Sequence, residues 1–292
     1  MTLSHAKHSI SNGSGEGHAL RADIAPIASQ GRLRELIAMM GGDASQLRAA
    51  DAALPVTLWR AREGATLLHE GSAPLAVYVL RSGCLKRIKT SEDGYEQVLS
   101  FAHPGELLGY EALHSGLQPA SVVALEDATA YALSMHELQD LRERCPALDR
   151  ALQMAISRQL VRAAGTAEMM AAVASDARLA RFLLWVSARM EEMGQSPRRL
   201  LLRMCRRDIA SLLGVAHETV SRSFTMLADA GYIRVDNREV EILDFEHLRL
   251  RARSTRTANA DDRGLPHNGG PSRSTLQQGA WFPRNGAQAA AA

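Results

Sequence analysis

The stretch that decides the fold is residues 207–222, which read RDIASLLGVAHETVSR. Its first half carries apolar residues at helical spacing: Ile209, Leu212 and Leu213. This stripe predicts a short helix that begins near Arg207. Gly214 then interrupts the pattern, and a second helix is expected to begin near His217. Two helices joined by a short glycine-containing turn are typical of a helix-turn-helix.

The second helix has two chemically different faces. The apolar positions are Val220, Phe224 and Leu227, at i, i+4 and i+7. The opposite face carries Glu218, Ser221, Arg222 and Thr225. A solvated face is the simplest interpretation of such positions. Short hydrogen-bonding side chains together with one acid and one arginine are, however, the set that reads base edges in a DNA major groove.

The flanking sequence supports the DNA-binding interpretation. Gly231 is expected to end the second helix, and residues 232–235 and 240–243 form two short apolar segments around a turn at Asp236-Asn237. These segments predict a β-hairpin wing. Arginines are concentrated just before and at the first helix: Arg198, Arg199, Arg203, Arg206 and Arg207. We expect this basic cluster to face the phosphate backbone.

The N-terminal half has a different organisation. Between about Thr57 and Ser134, glycines recur at roughly ten-residue intervals and separate short apolar segments, a pattern that indicates a β-sandwich or jelly roll. A helical pattern follows, with a narrow seam formed by Ile156, Leu160, Ala163, Ala167 and Met170. The seam is compatible with a helix packed on its own barrel. We favour a coiled coil between two subunits, because the seam is too narrow for a buried globular helix.

Length and composition set limits on the class of protein. The chain has 292 residues, which suits two domains, and 46% hydrophobic residues, which suits a globular core. The net charge is only +2, so any nucleic-acid surface must be local. No apolar run is long enough to span a bilayer, and the polar first residues do not resemble a secretory signal. The three cysteines are widely spaced and form no metal motif, so the sequence favours a cytoplasmic protein.

The predicted organisation has five parts. We expect a disordered extension over residues 1–31 and a β-roll sensor domain over residues 32–144. A dimerisation helix over residues 145–175 and a winged helix-turn-helix over residues 176–250 follow. A disordered tail over residues 251–292 closes the chain, since it has few residues that could form a core.

Residues 207–222 resemble the DNA-binding signature of the CRP/FNR superfamily of bacterial transcription regulators. Residues 218–222, ETVSR, match the E-T-x-S-R form of its FNR branch, and the resemblance extends over about residues 50–250, including RSG at 81–83 and GELLG at 105–109. It implies an α+β protein with an N-terminal β-roll of the cyclic-nucleotide-binding (cNMP) jelly-roll type, a long dimerisation helix and a C-terminal winged helix-turn-helix.

The resemblance also implies roles for individual residues. A homodimer would bind a palindrome with TTGAT-type half-sites and act as a transcription activator that contacts RNA polymerase. The base-reading positions are His217, Glu218, Ser221 and Arg222, of which His217 departs from the small apolar residue usual in FNR-type proteins. The phosphate contacts are Arg206, Arg207, Thr219 and Thr225. The RNA polymerase contact is assigned to Glu92 and Asp93, in an acidic turn of the barrel.

The sequence does not identify an effector. An iron–sulfur cluster of the FNR type is excluded because it needs four thiolates, and residues 1–83 contain no cysteine. Cyclic AMP (cAMP) is disfavoured because the family's phosphate-binding arginine is replaced by Ala120 beside Ser121. Haem is not excluded, but it would require one of four histidines to face a pocket: His69, His103, His114 and His136.

Two alternative functions explain the sequence less well. A cyclic-nucleotide-binding regulatory protein of a larger assembly would leave the winged helix unexplained. A cupin-type metal enzyme would need clustered ligands, and the barrel has no H-x-H triplet. The sequence also shows no nucleophile motif or phosphate loop, so we predict that the protein is not an enzyme.

Overall fold

A computed structural model describes residues 23–172 and 174–253 of the chain. Over these residues the protein is α+β, with a β-roll, one long helix and a winged helix-turn-helix in that order. This confirms the predicted fold class. No helix among these residues is long and apolar enough to cross a membrane.

The β-roll consists of two antiparallel sheets. The strands are β1 (Ile24–Arg32), β2 (Pro55–Ala61), β3 (Thr66–Leu68), β4 (Ala76–Ser82), β5 (Leu85–Thr90), β6 (Glu96–Ala102), β7 (Leu107–Leu108), β8 (Ser121–Ala124) and β9 (Ala128–Ser134). The five-stranded sheet has the order β1-β2-β9-β4-β7, and the four-stranded sheet has the order β3-β8-β5-β6. Gly83 shows why glycines separate the strands: its φ is 92°, and a Cβ there would lie 2.7 Å from the Cβ of Ala128.

The N-terminal part of the chain also contains short helices, and a long helix follows them. The helices are α1 (Leu33–Met39), α2 (Ala49–Ala52), α3 (Ala112–Ser115), α4 (Met135–Arg144) and α5 (Pro146–Met170). Helix α4 begins with a capping box in which Ser134 accepts from the Glu137 amide. The first half of α5 buries Leu148 and Leu152 against α1 and the five-stranded sheet, which anchors the long helix to the roll.

The C-terminal unit is a winged helix-turn-helix. Its elements are α6 (Ser175–Glu192), β10 (Arg199–Leu201), α7 (Arg206–Leu213), α8 (His217–Asp229), β11 (Ile233–Asp236), β12 (Glu239–Ile242) and α9 (Phe245–Arg253). Strands β11 and β12 form the predicted wing, and Asn237 in its turn has a φ of 51°. Strand β10 pairs with β12 and completes a three-stranded sheet.

Two expectations about the ends of the chain need correction. Residues 24–31 were expected to be disordered, but they form most of β1, which pairs with β2 along the edge of the five-stranded sheet. Residues 251–253 were assigned to the tail, but they complete α9, where Ala252 is buried. The rest of the predicted extension and tail lies outside the described residues.

The winged helix-turn-helix packs directly on the β-roll. Strand β6 is an edge strand, and the Ser211 hydroxyl of α7 accepts from the Val98 amide at 2.8 Å and donates to the Glu96 carbonyl at 3.1 Å. Lys86 and Asp208 form a largely buried ion pair of 2.8 Å beside it. The Lys86 hydrogen bond helps to hold the pKa of Asp208 below its usual value, against the effect of burial. Because polar edge groups are satisfied across this contact, the two parts form a continuous structure.

Candidate nucleic-acid interface

Helix α8 presents the predicted reading face to solvent. Val220, Phe224 and Leu227 are almost completely buried against the rest of the domain. On the opposite side His217, Glu218, Arg222 and Thr225 are exposed, and Ser221 is half-buried. The helix therefore has the predicted amphipathic orientation, and its outer surface is available to a major groove.

The two hydroxyl side chains on this face bond to their own helix. Ser221 donates to the His217 carbonyl and Thr225 donates to the Ser221 carbonyl, each at 3.3 Å. At this distance the two bonds to the carbonyl of residue i−4 are longer than the 2.9 Å bond that Ser223 makes to Thr219 on the buried side of the same helix. The long side chains of Glu218 and Arg222, one turn apart, dominate the outer surface of α8.

The five clustered arginines do not share one environment. Arg206 is half-buried, its guanidinium lies 3.6 Å from the centroid of the Phe224 ring, and it donates to the Asn237 carbonyl of the wing. Burial lowers the pKa of Arg206. This residue therefore links the wing to α8, in addition to any phosphate contact. Arg203 forms a 3.0 Å ion pair with Glu126 of the roll.

Other cationic side chains remain on the surface. Arg199 is exposed on β10, and Arg207 is exposed in the first turn of α7. The side chain of Thr219 is half-buried at the start of α8. Arg198 is exposed as well, but it donates to the Ile242 carbonyl and lies over the Phe245 ring. The part of the cluster that is best placed for phosphates is the exposed Arg207.

The proposed dimer seam is only partly exposed on α5. Leu160 is 68% exposed, and Ala163, Ala167 and Met170 are also exposed. Ile156 is different: it is half-buried and packs against the hydrophobic core of the roll. Ile156 therefore offers a smaller fraction of its surface to a second subunit than the other residues of the predicted seam.

The centre of the exposed face of α5 lies to one side of the predicted seam. Met154 and Val161 are 55% and 70% exposed, and Ala164 is exposed as well. These residues lie outside the predicted seam. Met154, Val161 and Glu168 are spaced seven residues apart, and such a repeat keeps one face of a helix in register.

The acidic turn between β5 and β6 is exposed at Glu92 and Asp93. Asp93 accepts from the Tyr95 amide at 3.1 Å, and this hydrogen bond lowers the pKa of Asp93. The Tyr95 hydroxyl lies 3.3 Å from Ser211 of α7. The turn therefore projects from the roll directly beside the helix-turn-helix.

The roll also contains a cavity of about 310 Å³, bounded by the roll, α5 and Trp185 of α6. Its wall includes Glu106, whose carboxylate is 2.6 Å from Arg189 and 3.3 Å from Arg162. The same two arginines contact Glu192, at 2.6 and 3.5 Å respectively. Burial lowers the pKa of Arg162.

This cavity does not fit a cyclic nucleotide. A cyclic phosphate needs a cation, and the expected arginine position is Ala120. Arg87 is in the wall but is held by Glu111 at 2.7 Å, and Arg162 is shared between two glutamates. Placing a phosphate here would therefore require breaking ion pairs that the described part of the chain already makes.

The four histidines occupy different surroundings. His69, His114 and His136 are exposed, whereas His103 is buried, with its ring centroid 5.5 Å from that of Trp185. Burial, with smaller contributions from Arg189 and Arg162, lowers the pKa of His103 to about 3. Within residues 23–172 and 174–253, no three His, Cys, Asp or Glu side chains are close enough to hold a metal ion.

Comparisons with known proteins agree with this architecture. Residues 58–145 match the cyclic nucleotide-binding domain family, and residues 177–251 match the Crp-like helix-turn-helix domain family. The chain is 35% identical over 191 residues to the transcriptional regulatory protein btr of Bordetella pertussis, covering 65% of this chain and 78% of that protein. It is 34% identical over 183 residues to the transcriptional activator protein anr of Pseudomonas aeruginosa, covering 63% and 75%.

A solved structure shares the fold. FixK2 from Bradyrhizobium japonicum superposes with a TM-score of 0.60 at 24% identity, covering 68% of this chain and 97% of that one. The matched relatives are transcription regulators, and both matched families correspond to parts of the structure described above. With its β-roll, long helix and helix-turn-helix DNA-binding domain, the chain belongs to the CRP/FNR superfamily of bacterial transcription regulators.

Proposed function

We propose that the protein binds as a homodimer to palindromic DNA with TTGAT-type half-sites and activates transcription by contacting RNA polymerase. The observation that carries this proposal is the outer face of α8, where Glu218 and Arg222 are exposed one turn apart. The proposal needs no catalytic residue.

Each base-reading role follows from side-chain chemistry. A carboxylate accepts hydrogen bonds, so Glu218 suits the N4 amino group of cytosine. A guanidinium donates in a fork, so Arg222 suits the O6 and N7 atoms of guanine. His217 and Ser221 extend the same surface toward neighbouring base pairs. The G·C pair of a TTGAT half-site offers all these groups in the major groove.

Contacts to the phosphate backbone would position the helix. We assign this role to Arg207, Thr219 and Thr225, which lie around α8 on the solvent side. Arg206 contributes mainly by holding the wing against Phe224, because its side chain is already engaged there. Phosphate contacts supply affinity but little sequence information.

Dimerisation supplies the second recognition helix that a palindrome requires. Several exposed side chains of α5 are apolar, and Met154, Leu160 and Val161 are each more than half exposed. Since Leu160 is 68% exposed, burying it would contribute about 1–2 kcal/mol in each subunit. We therefore place the subunit interface on this face, with Ala163, Ala167 and Met170 along one side.

The test measures the affinity of the full chain for a TTGAT palindrome and for scrambled DNA. It also measures the molar mass of the protein in solution, which reports whether the protein is a dimer. The parent protein should be a dimer that prefers the palindrome. Leu160→Glu should weaken dimerisation by roughly a hundredfold, because it removes apolar burial and opposes two carboxylates. Leu75→Glu is the matched control, since Leu75 is 81% exposed on the roll. Equal effects of the two substitutions would refute the interface.

A further inference from the structure

Two arginines at the start of α6 bond to the ends of several other helices. The connection from α5 to α6 is short, since α5 ends at Met170 and α6 begins at Ser175. This connection relates the long helix to the helix-turn-helix. The side chains that bond across it therefore bear directly on where α8 is placed.

Arg178 bridges the connection and the first helix of the helix-turn-helix. Its Nε donates to the Ala172 carbonyl at 2.6 Å, and its Nη1 donates to the Leu213 carbonyl at 2.8 Å. Leu213 is the last residue of α7, so its carbonyl has no partner within that helix. A cation at this end also interacts favourably with the helix dipole.

Arg181, one turn later, makes the equivalent connection to two other helices. Its Nη1 donates to the Glu168 carbonyl in the last turn of α5, and its Nε donates to the Ala252 carbonyl at the end of α9, both at 2.7 Å. The planar guanidinium fixes the direction of both bonds at once, which a lysine cannot do. Arg178 and Arg181 together therefore join α5, the connection, α7 and α9.

The far end of α6 is held differently. Arg189 bonds to Glu106 of the β-roll, and Glu192 pairs with Arg162 of α5 at 3.5 Å. Near the start of α6, by contrast, Arg178 and Arg181 donate to backbone carbonyls of the connection, α5 and α7.

We propose that Arg178 and Arg181 are positioning residues that set the angle between α5 and the helix-turn-helix, and so the spacing of half-sites that the dimer accepts. This inference rests on the proposed function, because spacing matters only for a dimer on a palindrome. Each added base pair displaces a half-site by about 3.4 Å and rotates it by about 34°. A fixed angle should therefore give a sharp optimum of spacing.

The experiment compares a series of palindromes whose central spacer differs by single base pairs, together with a duplex that carries one half-site. The variants are Arg178→Gln with Arg181→Gln, and separately Arg178→Lys. We expect the double variant to bind the single half-site like the parent. It should lose roughly tenfold in affinity at the optimal spacing, the size of a typical coupling between two sites, and its spacing profile should flatten. Arg178→Lys, which keeps the charge but not the fork, should flatten the profile less.

Arg158→Gln is the matched control. Arg158 also joins α5 to a helix end, by donating to the Met40 carbonyl after α1, but this partner belongs to the N-terminal part of the chain and not to the helix-turn-helix. It should leave the spacing profile unchanged. An unchanged profile in the Arg178 and Arg181 variants, or an equal loss on every probe including the single half-site, would overturn the inference. If the double variant does not fold, Arg178→Lys decides by the same criteria. A parent protein without preference for any palindrome over the half-site would instead refute the proposed function.

Discussion

His103 lies where the β-roll, α5 and α6 meet, and its titration should limit the stability of the protein in acid. The side chain is 9% exposed, and burial is the main reason that its pKa falls to about 3, with Arg189 and Arg162 adding repulsion. Glu106 and Glu192 pair with these two arginines. In the unfolded chain a histidine titrates near its ordinary pKa of about 6.5.

The sign and the size of the effect follow from these two values. Between about pH 6.5 and the folded pKa of about 3, the unfolded state binds a proton at His103 and the folded state does not. Stability is therefore lost as the pH falls through this range. A pH of 5 lies about 1.5 units below the pKa of the unfolded chain. Proton binding to the unfolded state therefore lowers the free energy of unfolding by about 2 kcal/mol at this pH.

The substitution that isolates this contribution is His103→Gln. The Nδ1 atom of His103 has no hydrogen-bond partner within the described part of the chain, and the Phe101 backbone acts on the ring by raising its pKa slightly against the effect of burial. Glutamine does not titrate and is also a polar side chain. The change therefore removes the proton-binding group and keeps a polar group at this position.

The assay is denaturant unfolding of both proteins at pH 7, 6 and 5. The parent should lose about 2 kcal/mol more of its unfolding free energy than the variant between pH 7 and pH 5. His114→Gln, at an exposed position, should behave like the parent. Parallel profiles for His103→Gln and the parent would refute the reasoning, because His103 would then titrate equally in both states.

Three further predictions concern DNA reading, transcription and the contact between domains. Arg222→Ala should weaken binding to the palindrome by about 1–3 kcal/mol and binding to scrambled DNA much less. Arg207→Ala should weaken binding to both DNAs and reduce the salt dependence of binding. If Arg222→Ala weakens binding to both DNAs equally, Arg222 reads no base. Alanine at Glu92 and Asp93 should reduce activation in a transcription assay with purified RNA polymerase while leaving operator affinity unchanged, and loss of both would indicate a role in folding. Ser211→Ala should cost about 1–3 kcal/mol in denaturant unfolding, because it leaves an edge-strand amide and carbonyl unpaired, and a smaller loss would show that water replaces the hydroxyl.

The sequence predicted the local features of the DNA-binding domain well. A helix of about 3.6 residues per turn repeats its buried face at fixed intervals, so Val220, Phe224 and Leu227 identified the inner side of α8 without any knowledge of what it packs against. The exposed side of α8 is the face opposite these three buried residues. The wing was predicted for a similar reason, since its two strands are adjacent along the chain.

The sequence predicted distant contacts poorly. Residues 24–31 have no clear strand pattern, and they form β1 only because β2 offers an edge to pair with. Ile156 has the spacing of a subunit seam, but the core of the roll lies on that side of α5. Arg206 belongs to a basic cluster, yet the Phe224 ring and the wing engage it.

Sequence alone therefore predicted the helix-turn-helix with its wing, the exposed face of α8, and the family to which the chain belongs. Tertiary structure decided which polar groups are already engaged: Ser211 at the edge of β6, Glu106 between two arginines, and Arg178 and Arg181 at the helix ends. The physical reason is that periodicity reports whether a face is buried, whereas partners far apart in the chain are chosen by packing and by the need to satisfy buried hydrogen-bonding groups.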